Sequence, residues 1–216
     1  MSVALGCGIS GQDGAYLAPL LLEKGYQASK QSEPDEIYHL AGQSSVGLSF
    51  EQPAGTLESV AMGTLNLLEA IRFRDLHVRF YNASSSECFG DTRNLPSDED
   101  TPFTPRSPYG VAKAAASWEV ANYREAYGLF ACSTPEDYVI ATEVSCHLQD
   151  FVVKTFAALN LNWEDHVFID QTFFRPTDIS IDRANPSKAR DKLLWQAQSH
   201  LSDIDRMMLT AVESGQ

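Results

Sequence analysis

Tyr109 and Lys113 lie four residues apart in Tyr109-Gly110-Val111-Ala112-Lys113. On a helix that spacing puts both side chains on one face, so an ammonium can sit beside a phenol and favour its phenolate. A tyrosine poised in this way can take a proton from a sugar hydroxyl while the carbon gives up a hydride. A second group, Asn82-Ala83-Ser84-Ser85-Ser86-Glu87, sets hydroxyls next to a carboxylate. At the edge of a sheet where ligands bind, a hydroxyl cluster next to a carboxylate has a functional reading. A third group, Gly8-Ile9-Ser10-Gly11-Gln12-Asp13-Gly14, is a GxxGxxG turn. Its glycines allow a tight reversal and close approach to a pyrophosphate, whose charge the free N–H groups of a following helix would meet. Each motif also has an ordinary reading by itself: a chance Tyr and Lys on one helix, hydroxyls capping a turn, a plain glycine loop. Their order along the chain is what one redox site requires.

A parallel sheet is needed to hold these groups. Ser2 to Leu5 reads as a strand that runs into the glycine turn, and Tyr16 to Lys24 as a helix. Pro19 inside that helix is expected to kink it, at a cost of about 3 kcal/mol, and Gly6 to weaken the strand. Ser29 to Asp35 is polar, and Glu36 to Ala41 gives the next strand. Leu57 to Arg72 reads as a helix with one buried face formed by Leu57, Val60, Ala61, Leu65, Leu68 and Ile71. Val78 to Ala83 follows as a strand, so the Ser85–Glu87 group falls at its carboxyl end, the edge where open parallel sheets bind ligands. Asp91 to Ser107 is a loop rich in Pro, Asp and Thr. Pro108 suits the first turn of a helix that runs to about Tyr127, and Leu129 to Cys132 makes another strand.

This alternation predicts an α/β fold, an abbreviated Rossmann-like parallel sheet with helices on both faces. After Pro135 the pattern changes to a small α/β C-terminal part. Tyr138 to Ala141 and Val167 to Ile169 are strand-like there, while His147 to Leu159, Pro186 to Leu194 and Leu201 to Val212 are helical. The expected division is a truncated nucleotide-binding domain over 1–133 and a substrate-domain remnant over 134–216.

Composition excludes several function classes. Sixteen Lys and Arg against 29 Asp and Glu give a formal charge of −13, which repels nucleic-acid backbones and anionic membrane surfaces. Neither is an expected partner. No secretory signal or membrane-spanning run is visible, so a cytoplasmic protein is expected. Cys7, Cys88, Cys132 and Cys146 have no paired spacing and are expected to be free thiols, and no metal is expected.

Longer strings then carry a resemblance. The stretch Gly8 to Gly14, Asp35-Glu36-Ile37-Tyr38-His39-Leu40-Ala41-Gly42-Gln43-Ser44, Ser49-Phe50-Glu51-Gln52-Pro53 and Ala61-Met62-Gly63-Thr64-Leu65 resemble the GDP-mannose 4,6-dehydratase family of the extended short-chain dehydrogenase/reductases. So do Thr101-Pro102-Phe103, Arg106-Ser107-Pro108-Tyr109, Asn122 to Gly128, Pro135 to Thr142, Phe174-Arg175-Pro176-Thr177-Asp178 and Asn185-Pro186-Ser187-Lys188-Ala189. The resemblance implies a lyase that converts GDP-mannose to GDP-4-keto-6-deoxymannose through internal NADP redox, on the route to GDP-fucose, as a homo-oligomeric dimer or tetramer. Tyr109 would deprotonate the hexose 4-hydroxyl as hydride leaves C4, with Lys113 holding the ribose and lowering the tyrosine pKa. Glu87 would remove the C5 proton and help expel the 6-hydroxyl, and Ser85, where the family usually has threonine, would hydrogen-bond near the 4-oxygen. The cofactor would be held by Gly8, Ser10, Gly11, Gln12, Asp13, Gly14, Leu40, Ala41, Gln43 and Ser44, together with Tyr109 and Lys113. Arg175 and Asp178 match a nucleotide-contacting pair whose acid is usually Glu.

Two stretches of the family pattern are missing. Between Tyr26 and Asp35 there is no room for the second strand, the arginines for a 2′-phosphate, the next helix and the third strand. After Cys132 an Asn-His-Glu-Ser segment and a basic run that hold the substrate phosphates are missing. Weak cofactor affinity and poor substrate positioning are therefore expected. An epimerase or dehydratase on another sugar nucleotide, and a non-catalytic remnant that pairs with other chains, are the alternatives open to the sequence.

Overall fold

The computed structural model describes residues 2–28, 33–92, 95–129 and 135–213. These fall into two compact units. The first comprises 1–90, 102–136 and 175–179, and the second 91–101, 137–174 and 180–216.

The first unit is built on a parallel sheet in the order β2-β1-β3-β4. Its strands are β1 (Val3–Cys7), β2 (Gln27–Ala28), β3 (Glu36–His39) and β4 (Arg79–Asn82). Gly6 does not interrupt β1, where it pairs in register with Tyr38. β2, two residues among those described, stands where the sequence reading leaves no room for a strand. The chain leaves β1 for β2 on one side and then places β3 on the other. This reversal opens a crevice at the carboxyl ends of β1 and β3, the general ligand position in such sheets.

Helix α1 (Gln12–Glu23) starts four residues before the expected Tyr16. Pro19 lies inside it without ending it. Both Pro19 and Ala15, whose carbonyl loses its i+4 donor, are on the exposed side, where water can take over that bond.

The next helical run is longer and less regular than expected. It comprises α2 (Val46–Glu51), α3 (Pro53–Leu57), a π turn at Glu58–Met62 and α4 (Gly63–Phe73). The wider π turn shifts the phase of the buried stripe. Thr56, Val60, Thr64, Leu68 and Ile71 face inward, while Leu57, an expected core residue, is 39% exposed. Ile37, Ile71 and Val78 form the central cluster, with Leu5, Leu67, Leu76, Phe80 and Leu129 against it. Since side chains alternate along a strand, Tyr38 and Tyr81 point to the opposite face, where they meet Asp13 and Leu17 of α1.

Helix α5 spans Pro108–Tyr127, as the sequence predicts. Ser107 caps it by accepting from Gly110 N–H at 3.0 Å, proline takes the first turn, and Gly128 ends it at φ 59. The strand expected over Leu129 to Cys132 lies largely outside the described residues, as does Cys132. Cys7, Cys88 and Cys146 are free.

The second unit holds α6 (Leu148–Ala158), α7 (Ser187–Leu193) and α8 (Leu201–Glu213), with two 3-10 turns at Trp163–Asp165 and Gln171–Phe173. Thr155 of α6 donates to Asp205 of α8 at 3.0 Å. The expected strands at Tyr138 to Ala141 and Val167 to Ile169 are not formed. Phe168 and Ile169 are 84% and 85% exposed, so this apolar run has β propensity but no neighbouring strand to pair with. The β content of this unit, among the described residues, is a single parallel bridge between Ser97 and Ala184. No helix among the described residues is long and apolar enough to cross a membrane.

Candidate functional site

The glycine turn lies directly beyond β1. Gly8 has φ +85, and a Cβ there would come within 2.8 Å of Leu40 C and Ala41 N. At Gly14, buried in α1, a Cβ would sit 2.5 Å from Gly8 O and from Ile9 Cα. These two glycines let the turn, the first turn of α1 and the Leu40-Ala41 backbone pack together. Gly11 is the N-cap and brings no side-chain bond, so the first N–H groups of α1 are not taken by a cap. Ser10, Gln12 and Asp13 are exposed around it.

A hollow of about 250 Å³ adjoins this turn, lined by Asp13, Leu17, Tyr38, Leu40, Tyr81 and Ala83. Tyr38 Oη donates to buried Glu36 at 2.7 Å, and burial together with that bond pushes its phenol far up. Gln43 follows in the β3 to α2 connection, where its amide donates to Ser45 O at 2.8 Å and to Thr56 Oγ1 at 3.2 Å. Ser44 is exposed beside it.

The redox candidates meet at the carboxyl end of β4. Ser85 caps a 3-10 turn at Ser86–Cys88 and accepts from Glu87 N at 3.3 Å. Its hydroxyl also lies beside the Tyr109 phenol and favours the ionised form. Glu87 Oε2 accepts from Ser107 Oγ at 3.0 Å. Lys113 Nζ lies 5.9 Å from the centre of the Tyr109 ring and donates to Ala83 O at 2.8 Å. Close contact between α5 and the turn depends on Gly110, where a Cβ would lie 2.6 Å from Glu87 O. Thus Ser85, Glu87, Tyr109 and Lys113 form one cluster, and Ala83 joins it to the hollow beside the glycine turn.

Electrostatics in the cluster differ from the sequence expectation in one respect. Burial pushes the Tyr109 phenol up, with the nearby Ser85 hydroxyl opposing it. Burial likewise lowers the Lys113 ammonium. With the ammonium bound to Ala83 O, desolvation outweighs the lysine's help to a phenolate, and Tyr109 is a neutral hydroxyl.

Arg175 and Asp178 pair with each other at 3.0 Å. Their segment is fixed in the first unit by a hydrogen bond from the Thr177 hydroxyl to Arg106 O. Sequence reasoning missed His39, Thr64 and Ser107. Ser107 had a signal, a serine just before the Pro108 helix start. His39 and Thr64 had none, because their meeting depends on the phase shift of the π turn.

Three comparisons bear on this arrangement. The sequence profile described as GDP-mannose 4,6 dehydratase matches residues 27–134 and 132–208, two pieces that meet where the substrate-phosphate segment is missing. GDP-mannose 4,6 dehydratase 1 of Arabidopsis thaliana is 32% identical over 320 residues, covering 96% of this chain and 88% of the relative. Since this chain has 216 residues, roughly a third of those aligned positions have no residue here. GDP-mannose 4,6-dehydratase of Yersinia enterocolitica is 42% identical over 332 residues, with 90% and 89% covered. Among solved structures, RMD from Pseudomonas aeruginosa complexed with NADPH matches with TM-score 0.86 at 18% identity, covering 100% of both chains. At that identity the likeness establishes the fold alone. The profile match and the identity to these relatives establish the lineage, and the chain belongs to the GDP-mannose 4,6-dehydratase family.

Proposed function

We propose that this chain is a nucleotide-sugar dehydratase that takes GDP-mannose to GDP-4-keto-6-deoxymannose with NADP as its internal hydride carrier. The observation that carries the proposal is the packing of the Ser85–Glu87 turn against Tyr109 and Lys113, through Gly110, at the carboxyl edge of the sheet. Family membership supports the same reading.

The residues present suit one half of the cofactor. Gly8 and Gly14 leave room where a Cβ would strike backbone, and the uncapped start of α1 offers N–H groups to a pyrophosphate. The adenosine half would lie against β2, of which two residues are described, so binding rests on the pyrophosphate and nicotinamide ends. Bound NADP would take a hydride from C4 of the sugar and return one at C6.

The chain's own residues handle protons and position. Tyr109, neutral at rest, first gives its own proton to solvent; its phenolate oxygen then takes the proton of the 4-hydroxyl, and the Ser85 hydroxyl bonds the 4-oxygen as it becomes a carbonyl. Lys113 keeps one N–H on Ala83 O and has two for ribose hydroxyls. The new ketone acidifies C5–H, whose proton passes to Glu87 while the 6-hydroxyl leaves as water with a proton from the same carboxyl group, and the proton held by Tyr109 passes to C5 when hydride is returned at C6. Ser107 holds that carboxylate at 3.0 Å. Arg175 takes part in nucleotide binding, with Asp178 orienting its guanidinium. Assembly as a homo-oligomer belongs to the same reading. Val111 and Trp118, half-exposed on α5, support it, and sedimentation equilibrium tests it.

The testing experiment pairs NADP titration by tryptophan fluorescence with assay of the 4-keto-6-deoxy product from GDP-mannose. The expected result is weak but saturable NADP binding and slow product formation that is lost in Tyr109→Phe and Glu87→Gln. No binding together with no product would reject the proposal.

A further inference from the structure

His39 ends β3, one residue before Leu40, and is only 6% exposed. Its Nε2 lies 3.1 Å from Thr64 Oγ1. That hydroxyl has a single proton, which it donates to Val60 O at 2.7 Å. Thr64 can therefore only accept from the imidazole, which fixes the Nε2–H tautomer. Nδ1 is then a bare lone pair, and it is shielded from solvent without a hydrogen-bond partner.

The ring is tied to the redox cluster through one residue. His39 O accepts from Ala83 N at 3.0 Å, and Ala83 O accepts from Lys113 Nζ at 2.8 Å. The surrounding elements bring few charges. Lys113 comes from α5, Thr64 from α4, and the Cys7 thiol stands in register on β1, while Phe80 of β4 stacks on the ring at 6.3 Å. Asn82 stands in register on the other side. No carboxylate is among these neighbours to balance a second cation.

We propose that His39 is a positioning residue of the redox site: held as the neutral Nε2–H tautomer, it leaves Lys113 the sole cation of the cluster. Gain of a proton at Nδ1 sets a second cation beside Lys113 and drives the ammonium off Ala83 O. Burial and the Lys113 charge both hold the imidazole below its ordinary value, so the neutral form prevails at neutral pH. The consequence for NADP rests on the reading of Lys113 as a cofactor-holding group, whereas the tautomer and the coupling can be tested without cofactor.

The test is imidazole nitrogen NMR on the full chain, with the His39 signals identified from Thr64→Val as well as His39→Gln. At neutral pH the expected pattern is Nε2 protonated and Nδ1 bare. The titration midpoint is expected below the usual value near 6.5 and to rise in Lys113→Met. In parallel, NADP affinity in the natural chain should fall as pH drops through that midpoint, by about tenfold per unit at the limit, and stay nearly level in His39→Gln. A bare Nε2 at neutral pH, or a midpoint unmoved by Lys113→Met, would overturn the inference even if His39→Gln fails to fold. Equal pH dependence of NADP affinity in both proteins would overturn it too. Absence of NADP binding at every pH would strike the proposed function, while the two NMR results would still decide the His39 to Lys113 coupling.

Discussion

Gly110→Ala tests whether the contact between α5 and the Ser85–Glu87 turn is what builds the cluster. Two effects oppose each other at this position. Alanine is the better helix former, by roughly 0.5–1 kcal/mol, and an exposed helical glycine should be improved by the change. Here, however, the added Cβ would stand 2.6 Å from Glu87 O and 3.0 Å from Pro105 Cβ. An ordinary contact begins near 3.4 Å, so the helix and the turn must separate by about 0.8 Å, and the nearest atom is backbone with no rotamer to relieve it. Overpacking of this kind costs about 1–3 kcal/mol, which exceeds the propensity gain. The expected net loss of about 1–2 kcal/mol corresponds to a melting point about 2–8 °C lower for a chain of this size. Turnover should suffer more, because a shift near 1 Å between Glu87 and Tyr109 costs on the order of 10²-fold. Calorimetry and the product assay read the two effects separately. A variant that melts higher than the natural chain and retains its turnover would refute the reasoning.

Other perturbations separate the roles within the cluster. Ser107→Ala removes both the α5 cap and the hydroxyl that holds Glu87; a stability loss of about 1 kcal/mol is expected in denaturant melts. Tyr109→Phe should lower turnover by about 10²–10⁴ and abolish transient reduced-cofactor absorbance. Glu87→Gln should leave that absorbance and block dehydration after it. The depressed His39 imidazole means the unfolded chain binds more protons below its ordinary value. Stability from this group should therefore be full at pH 7 and fall as pH drops below about 6.5, and the fall should disappear in His39→Gln.

How far the sequence foretold the structure varied with the kind of signal. Helix α5 was legible from Pro108 to about Tyr127, because a proline in the first turn acts locally on the backbone. The four redox candidates and the glycine turn were legible too, as side chains set at a sheet edge by strand-to-turn connections. The buried face of the run from α3 to α4 was only partly legible. A strict 3.6-residue period put Leu57 inward, but the π turn at Glu58–Met62 advanced the phase and buried Thr56. The same shift sets Thr64 against His39, so this buried polar pair left no periodic trace. Phe168 and Ile169 misled in another way: their propensity suits a strand, but strands form only where a partner exists.

The central claim is that beside one cluster a single bound NADP would take a hydride from C4 and return it to C6 of the same sugar. Incubating the chain with NADP and GDP-mannose deuterated at C4, then locating the label in the product by NMR, tests this directly. The account predicts deuterium in the C6 methyl group. Product with its label in solvent, label still at C4, or no product at saturating NADP and substrate would contradict it.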